Sequence, residues 1–265
     1  MLLKITHTTR YDFETPVSYG LQQLRMTPKS TRAQNVLSWT TTIKGGRTEN
    51  QYEDFHRNQV DLISIDADAT ALELQSEGEV DMTDTAGIVG PHEGSTPLWL
   101  FELATPLTQA GPGVRALTKA VTATDPLEKL HALSAVIRAQ VGYEIGSSSP
   151  DWTAEQAIEA GKGVCQDHTH IFVAAARLAG FPARYVSGYL MMNDRVDQDA
   201  THAWAEAHVP GIGWVGFDVS NGISPDTRYV RAATGRDYSE AAPVRGTRLG
   251  GEGETLSVSV EVAQQ

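Results

Sequence analysis

Hydrophobic positions in the first third of the chain alternate with polar ones, the pattern of half-buried strands. The alternation begins at the N-terminus, with Leu3, Ile5, Tyr11 and Phe13 all at odd positions. Apolar or alternating runs follow at residues 36–43, 60–65 and 71–74. Turn-forming segments separate these runs, so the pattern predicts an antiparallel β-sandwich-like domain or barrel over residues 1–80.

The next segment has the composition of a connector. Eight glycine and proline residues lie between positions 87 and 112, and such residues interrupt regular structure. We therefore assign residues 81–112 to a connector, with a short helical turn near residues 98–103.

Helical signals begin at residue 125. Asp125-Pro126 followed by Glu128 is typical of a helix start, and apolar residues then recur every three or four positions up to Val141. Thr153 and Gln156 form a second capping pattern, in a helix that Gly161 would end. A third helix is predicted from Cys165 to about Gly180.

Strands return after this helical region, at residues 183–192, 200–209 and 213–220, with a hairpin turn at 210–213. Residues 227–232 and 255–263 read as further strands, separated by a glycine- and arginine-rich loop at 235–251. We assign residues 113–265 to one core domain, with the alternative that strand 255–263 pairs with the N-terminal sheet.

The composition excludes some partners. Acidic residues number 33 and basic residues 21, giving a net charge of −12, which disfavours nucleic acid and anionic membrane surfaces. Cys165 is the only cysteine, so no intrachain disulfide can form. We find neither a signal peptide nor a stretch long enough to span a bilayer, and expect a cytoplasmic protein.

Cys165 has the setting of a nucleophile. It follows Gly161 and Gly163 and begins a predicted helix, where free N–H groups and the helix dipole favour a thiolate. A buried cysteine acting as a small hydrophobic residue is the alternative interpretation.

A thiol nucleophile needs a base and a group that orients the base. Of the eight histidines, His202 is the best candidate, because it lies on a strand whose hairpin partner carries Asp218. If the turn has three residues centred on Gly211, Asp218 lies diagonal to His202 and their side chains can meet. A four-residue turn would place Asp218 on the opposite face.

Three segments together resemble one known family. GKGVCQDHTHIFVAAARLAGFPARYVSGYL, THAWAEAHVPGIGWVGFDVSNG and GRDYSEAAPVRG are similar to the core of the bacterial transglutaminase-like cysteine peptidase family. The β-rich start resembles the N-terminal domain that often precedes this core. DVSNG is a departure, since the family commonly has proline after the aspartate.

The resemblance implies an α+β fold with a papain-like core, in which helices pack on an antiparallel sheet. It implies a catalytic triad of Cys165, His202 and Asp218 that transfers the acyl group of an amide, with peptide or isopeptide hydrolysis of a peptide or protein substrate as the expected reaction. The Cys165 N–H would contribute to an oxyanion hole, with Tyr143 as a candidate second donor or, alternatively, a core or rim aromatic. No cofactor is implied.

Other residues carry weaker signals. Asp167 and His170 match family positions near the nucleophile and either support the site or satisfy buried polar groups. Trp204 and Trp214 either line an acyl-binding groove or belong to the core. No metal site is predicted, since His202 and His208 lie about 20 Å apart along a strand.

Three alternative functions stay open. A transglutaminase would incorporate amines into glutamine side chains, and a small-molecule acyltransferase would form a thioester with a carried acyl group. The third alternative is a binding or scaffold module with a retained triad.

Overall fold

The computed structural model describes residues 1–265. Its strands are β1 (Leu2–Leu24), β2 (Gln34–Lys44), β3 (Gly46–Glu53), β4 (Gln59–Ile65), β5 (Ala69–Met82), β6 (Ile88–Gly90), β7 (Gly142–Tyr143), β8 (Lys162–Gly163), β9 (Ala183–Leu190), β10 (Asp197–Gln198), β11 (His202–Val209), β12 (Gly213–Phe217), β13 (Tyr229–Gly235), β14 (Val244–Gly250) and β15 (Thr255–Gln264). Its α-helices are α1 (Pro112–Ala120), α2 (Pro126–Gln140), α3 (Ala154–Ala160), α4 (Cys165–Leu178) and α5 (Tyr238–Ala241).

The N-terminal sheet has eight strands and is organised around β1, which pairs with four of them. Its first half pairs with β5 and β15, and its last residues pair with β4 and β14. The pairing of β1 with β5 is interrupted between Asp12 and Val17, where the register shifts. Leu24, Ile63 and Leu72 belong to the apolar cluster between the strands. This is the sandwich-like arrangement that the alternating pattern predicted.

The C-terminal end of the chain completes this sheet. β15 pairs with β1 along residues 255–264, the alternative considered for strand 255–263. The loop prediction for residues 235–251 is wrong, because this segment contains α5 and strand β14. β14 is almost entirely exposed and is held by backbone pairing with β1, so it lacks the apolar alternation that marks a strand. The boundaries 1–80, 81–112 and 113–265 stay a prediction.

The second sheet has the order β13-β9-β11-β12-β6 and carries the helices on one face. Ala205 and Ala207 of β11 share an apolar cluster with Ala174 and Ala175 of α4. Small side chains on both elements let the helix approach the strand closely.

The helix starts follow their capping residues. Asp125 accepts hydrogen bonds from the N–H groups of Leu127 and Glu128, and Thr153 and Gln156 form a capping box before α3. Short 3₁₀ turns occur at Leu98–Glu102, as predicted, and at Pro106–Thr108. The sequence did not predict α1, whose only buried residues are Val114 and Leu117.

The α+β class is confirmed: antiparallel sheets and a separate group of helices pack together. None of the helices combines the length and the apolar character needed to cross a membrane.

Candidate active site

Cys165 is the first residue of α4, which is the long helix packed on β11. Its thiol is free and half-buried. The first N–H groups of a helix have no intrahelical acceptor, so the Cys165 amide is available to a ligand beside the sulfur. A Cβ added at the loop residue Gly163 would lie 2.7 Å from the Asp167 Cβ, which is too close. This contact explains the need for glycine at this position.

Asp167 fixes the loop that delivers the cysteine. Its buried Oδ2 accepts hydrogen bonds from the Val164 N–H at 2.8 Å and from the Ser148 hydroxyl at 2.6 Å. The carboxylate therefore ties the residue before Cys165 and the segment after β7 to the start of α4. These hydrogen bonds fit both interpretations of Asp167, support of the site and satisfaction of buried polar groups.

His202 begins β11, and Asp218 follows the end of β12. The pairs Ala205↔Phe217 and Val209↔Gly213 enclose a three-residue turn centred on Gly211. This is the register required for the two side chains to meet. His202 Nε2 and Asp218 Oδ2 are 2.7 Å apart, and both residues are buried.

The charges around His202 favour its imidazolium form. Burial lowers the pKa of His202, but hydrogen bonds to Asp218 and Cys165, together with their charges, outweigh burial and raise its pKa to about 10. Since Nε2 is bonded to Asp218, Nδ1 is the ring nitrogen left for the thiol. Cys165 also packs against the cluster containing Ala203, the neighbour of His202.

Two residues that the sequence analysis missed hold Asp218. The Asn221 N–H donates to Oδ1 at 3.1 Å, and the Asn221 side chain donates to Oδ2 at 2.6 Å. The Tyr229 hydroxyl donates to Oδ2 at 2.8 Å. Burial raises the pKa of Asp218, but hydrogen bonds from His202, Asn221 and Tyr229 and the His202 charge outweigh burial and lower it. The sequence contained a hint of Asn221, because its amide follows the aspartate by only three residues. It contained none for Tyr229, which comes from another strand.

Tyr143 lies beside the nucleophile loop. β7 pairs in parallel with β8, and this places Tyr143 opposite Gly163. The residue is 53% exposed, so it lies at the rim of the fold and not in the core. Burial of its hydroxyl, followed by the nearby charge of Cys165, raises the pKa of Tyr143 to about 12. The hydroxyl therefore stays protonated near neutral pH and can donate a hydrogen bond.

His170 lies deeper in α4 and is fully buried. Its Nε2 accepts the Tyr238 N–H at 3.1 Å, and burial lowers the pKa of His170 to about 4. The ring is thus neutral and holds α5 against α4. His168 is also a structural residue: its ring bonds the Val141 carbonyl and the Ser220 hydroxyl, next to the Asp218 turn.

The two tryptophans are both buried, at 3% exposure for Trp204 and 1% for Trp214. Trp204 stacks on the His202 ring, with centroids 6.2 Å apart. Trp214 lies at the far end of the hairpin, under the Arg184 guanidinium at 3.9 Å. Both rings are packed in the sheet and also line cavities, Trp204 beside Tyr229 and Trp214 beside Arg184, so a role in a groove and a role in the core both stay predictions.

Cys, His, Asp and Glu side chains are nowhere grouped in threes that could hold a metal ion. The site consists of one thiol, one imidazole and one carboxylate, with hydrogen-bond donors around the carboxylate and beside the thiol.

Family comparisons agree with this architecture. Residues 115–219 match the transglutaminase-like superfamily core, and residues 3–81 match the bacterial transglutaminase-like N-terminal region. The chain therefore belongs to the transglutaminase-like superfamily and carries the bacterial N-terminal region before the core.

Two mycobacterial proteins align with this chain over nearly their whole length. The uncharacterized protein ML0607 of Mycobacterium leprae is 26% identical, over 99% of this chain and 98% of its own. The uncharacterized protein Rv2569c of Mycobacterium tuberculosis is 28% identical, over 98% of this chain and 91% of its own.

One solved structure shares the fold throughout. The crystal structure of a proposed cysteine protease from Cytophaga hutchinsonii has a TM-score of 0.80 and 22% identity, covering 99% of this chain and 90% of that one. At this identity the similarity concerns the fold.

Proposed function

We propose that this protein is a thiol-dependent enzyme that transfers the acyl group of an amide, and that it hydrolyses peptide or isopeptide bonds in a peptide or protein substrate. The observation that carries the proposal is the position of His202, which is bonded to the Asp218 carboxylate at 2.7 Å and interacts with the Cys165 thiol. In this proposal Cys165 is the nucleophile, His202 the general acid and base, and Asp218 the residue that orients His202.

The first half-reaction forms a thioester. The Cys165 thiolate attacks the amide carbonyl carbon and produces a tetrahedral oxyanion, which the Cys165 N–H stabilises. The Tyr143 hydroxyl is the proposed second donor, because it is protonated and lies beside the nucleophile loop. The carbon–nitrogen bond then breaks, and the His202 imidazolium gives its proton to the leaving amine.

The second half-reaction releases the acid. His202 removes a proton from water, the resulting hydroxide attacks the thioester carbon, and the carbon–sulfur bond breaks. The carboxylic acid leaves, and the thiolate–imidazolium pair is restored. Hydrolysis is preferred because water is always available as an acceptor. The absence of disulfide-forming cysteine pairs fits a reducing compartment, and we propose the cytoplasm.

Thiol alkylation tests the ion pair. Free thiols react as thiolates, and an ordinary cysteine is mostly protonated at pH 7. We expect iodoacetamide to label the wild type rapidly at pH 7 and the variant His202→Ala roughly tenfold more slowly, as followed by intact mass. His208→Ala is the matched control, since it removes another histidine from the same strand. Equally slow labelling of all three proteins would remove the basis for a catalytic role and favour a binding module.

The acyl acceptor is tested separately. Peptide substrates are incubated with and without a fluorescent primary amine, and products are identified by mass spectrometry. Cleavage that adds water supports the proposal. Amine attached to intact glutamine side chains would instead identify a transglutaminase, and activity restricted to small thioesters would identify a small-molecule acyltransferase. Cys165→Ala is the control for all three products.

A further inference from the structure

A cleft separates the N-terminal sheet from the face of the core sheet that lies away from α4. Its lining comes from the segment after β1, from the β3–β4 turn, from β6 and the segment after it, and from strands β9, β12 and β13. The cavity has a volume of about 210 Å³. A single water needs only about 10–15 Å³, so the cleft has room for a hydrated ligand larger than one water.

The lining is strongly basic in a chain whose net charge is −12. Its charged side chains are five cations, Lys29, Arg32, Arg57, Arg184 and Arg231, and one carboxylate, Glu93. Such a local excess of positive charge attracts small anions.

Internal ion pairs neutralise only part of this charge. Arg57 pairs with Glu93 at 3.0 Å, and Arg184 and Arg231 share the buried carboxylate of Glu206 at 2.6 and 2.9 Å. Lys29 and Arg32 have no carboxylate within salt-bridge distance. Two cations of the lining therefore form no direct ion pair, although the carboxylates of Glu53 and Asp54 lie close enough to act on the Lys29 charge.

Lys29 is the most informative of these residues. Its Nζ is buried and has no hydrogen-bond partner. Burial, together with the charges of Arg231 and Arg57, outweighs the opposing charges of Glu53 and Asp54 and lowers the pKa of Lys29 to about 8. An ammonium group that has lost water and faces other cations is destabilising unless it is paired. An anion in the cleft would supply the missing hydrogen-bond acceptor and the missing charge together.

We propose that this cleft binds a small multivalent oxyanion, such as phosphate or a tricarboxylate, held chiefly by Lys29 and Arg32. The ligand would contact both the N-terminal sheet and the core, and would therefore stabilise their packing. The site is separate from the thiol and requires no catalytic activity, so it stands or fails independently of the proposed function.

Binding is tested with inorganic phosphate and with citrate at constant ionic strength, by calorimetry and thermal unfolding. We expect both anions to raise the melting temperature of the wild type, and monovalent acetate to have no comparable effect. Lys29→Met removes the charge but keeps the apolar length of the side chain. Because one charge-assisted hydrogen bond is lost, we expect phosphate to bind about tenfold more weakly or not at all.

Melting temperatures measured without phosphate give a second test, in which Lys29→Met is expected to be more stable than the wild type instead of binding more weakly. Without phosphate, Lys29→Met is expected to melt above the wild type, because a buried unpaired charge is gone. Lys119→Met is the matched control on the exposed end of α1 and should keep the full phosphate response. Arg32→Gln, at the exposed rim, should weaken binding without this gain in stability. The proposal would be overturned if phosphate neither bound the wild type nor raised its melting temperature. An equal loss of binding in Lys29→Met and Lys119→Met would also overturn it.

Discussion

His202 and Asp218 are sixteen residues apart in sequence and meet because of one turn. A three-residue loop brings their side chains to the same edge of the sheet. The sequence showed that the contact requires such a loop but left a four-residue turn open, because the segment 210–213 is compatible with both lengths. The contacts of Asp218 with Asn221 and Tyr229 could not all be derived in this way. Tyr229 reaches Asp218 from β13, and no local pattern states which strands become neighbours.

The pH dependence of stability follows from the His202 pKa. That pKa is raised to about 10 in the folded protein, above the ordinary value of 6.5. The protonated ring therefore stabilises the fold fully below pH 6.5, and this contribution is lost as the pH rises through 10. In Asp218→Asn the main partner loses its charge, so the unfolding free energy should fall less steeply over this range.

Urea unfolding between pH 6 and pH 10 measures this difference. Asp226→Asn is the matched control, because its carboxylate pairs with Arg228 and no histidine. The control should follow the wild-type slope. An Asp218→Asn slope equal to that of the wild type would contradict the charged pairing of His202 with Asp218.

At the level of elements, the capped helices were predictable and the poorly patterned segments were not. α2 and α3 begin with recognisable capping residues and carry apolar positions at helical spacing. β3 contains only one aromatic residue among polar ones and forms a strand through its pairing with β4. Backbone pairing of this kind depends on the partner, so it leaves little trace in the sequence of the strand itself.

The start of α4 is the element most closely connected with reactivity. Asp167→Ala removes two hydrogen bonds at this start and should lower stability by about 1–2 kcal/mol, the usual effect of losing a helix cap. It should also slow alkylation of Cys165, since the loop is no longer fixed. Asp125→Ala removes the cap of α2 and is the matched control, with a similar loss of stability by urea unfolding and unchanged alkylation. Unchanged alkylation in both variants would contradict this positioning role.

The whole molecule contains an apolar cluster shared by the two sheets. Leu3 and Ile5 of β1 and Val260 and Val262 of β15 pack with Tyr189 of β9. Composition and motifs indicated where the N-terminal sheet and the core lie along the chain, but this contact joins residues from both ends and the middle. Such long-range packing could not be derived from periodicity.

Shared packing predicts that the sheets unfold together. Val262→Ala removes two buried methyl groups and should lower the unfolding free energy by about 2 kcal/mol while leaving one calorimetric transition. Leu256→Ala shortens a side chain on the same strand that is 51% exposed and should change stability little. Two separate transitions in the wild type would show that the sheets unfold independently.

Cys165 is the only cysteine in the chain, and this limits how its oxidised thiol can be reduced again. A sulfenic acid formed there has no resolving cysteine in the same polypeptide with which to close a disulfide. Its reduction must therefore begin with a thiol that arrives from solution and reaches the half-buried helix start. Recovery after peroxide exposure would thus depend on the size and concentration of the external reductant.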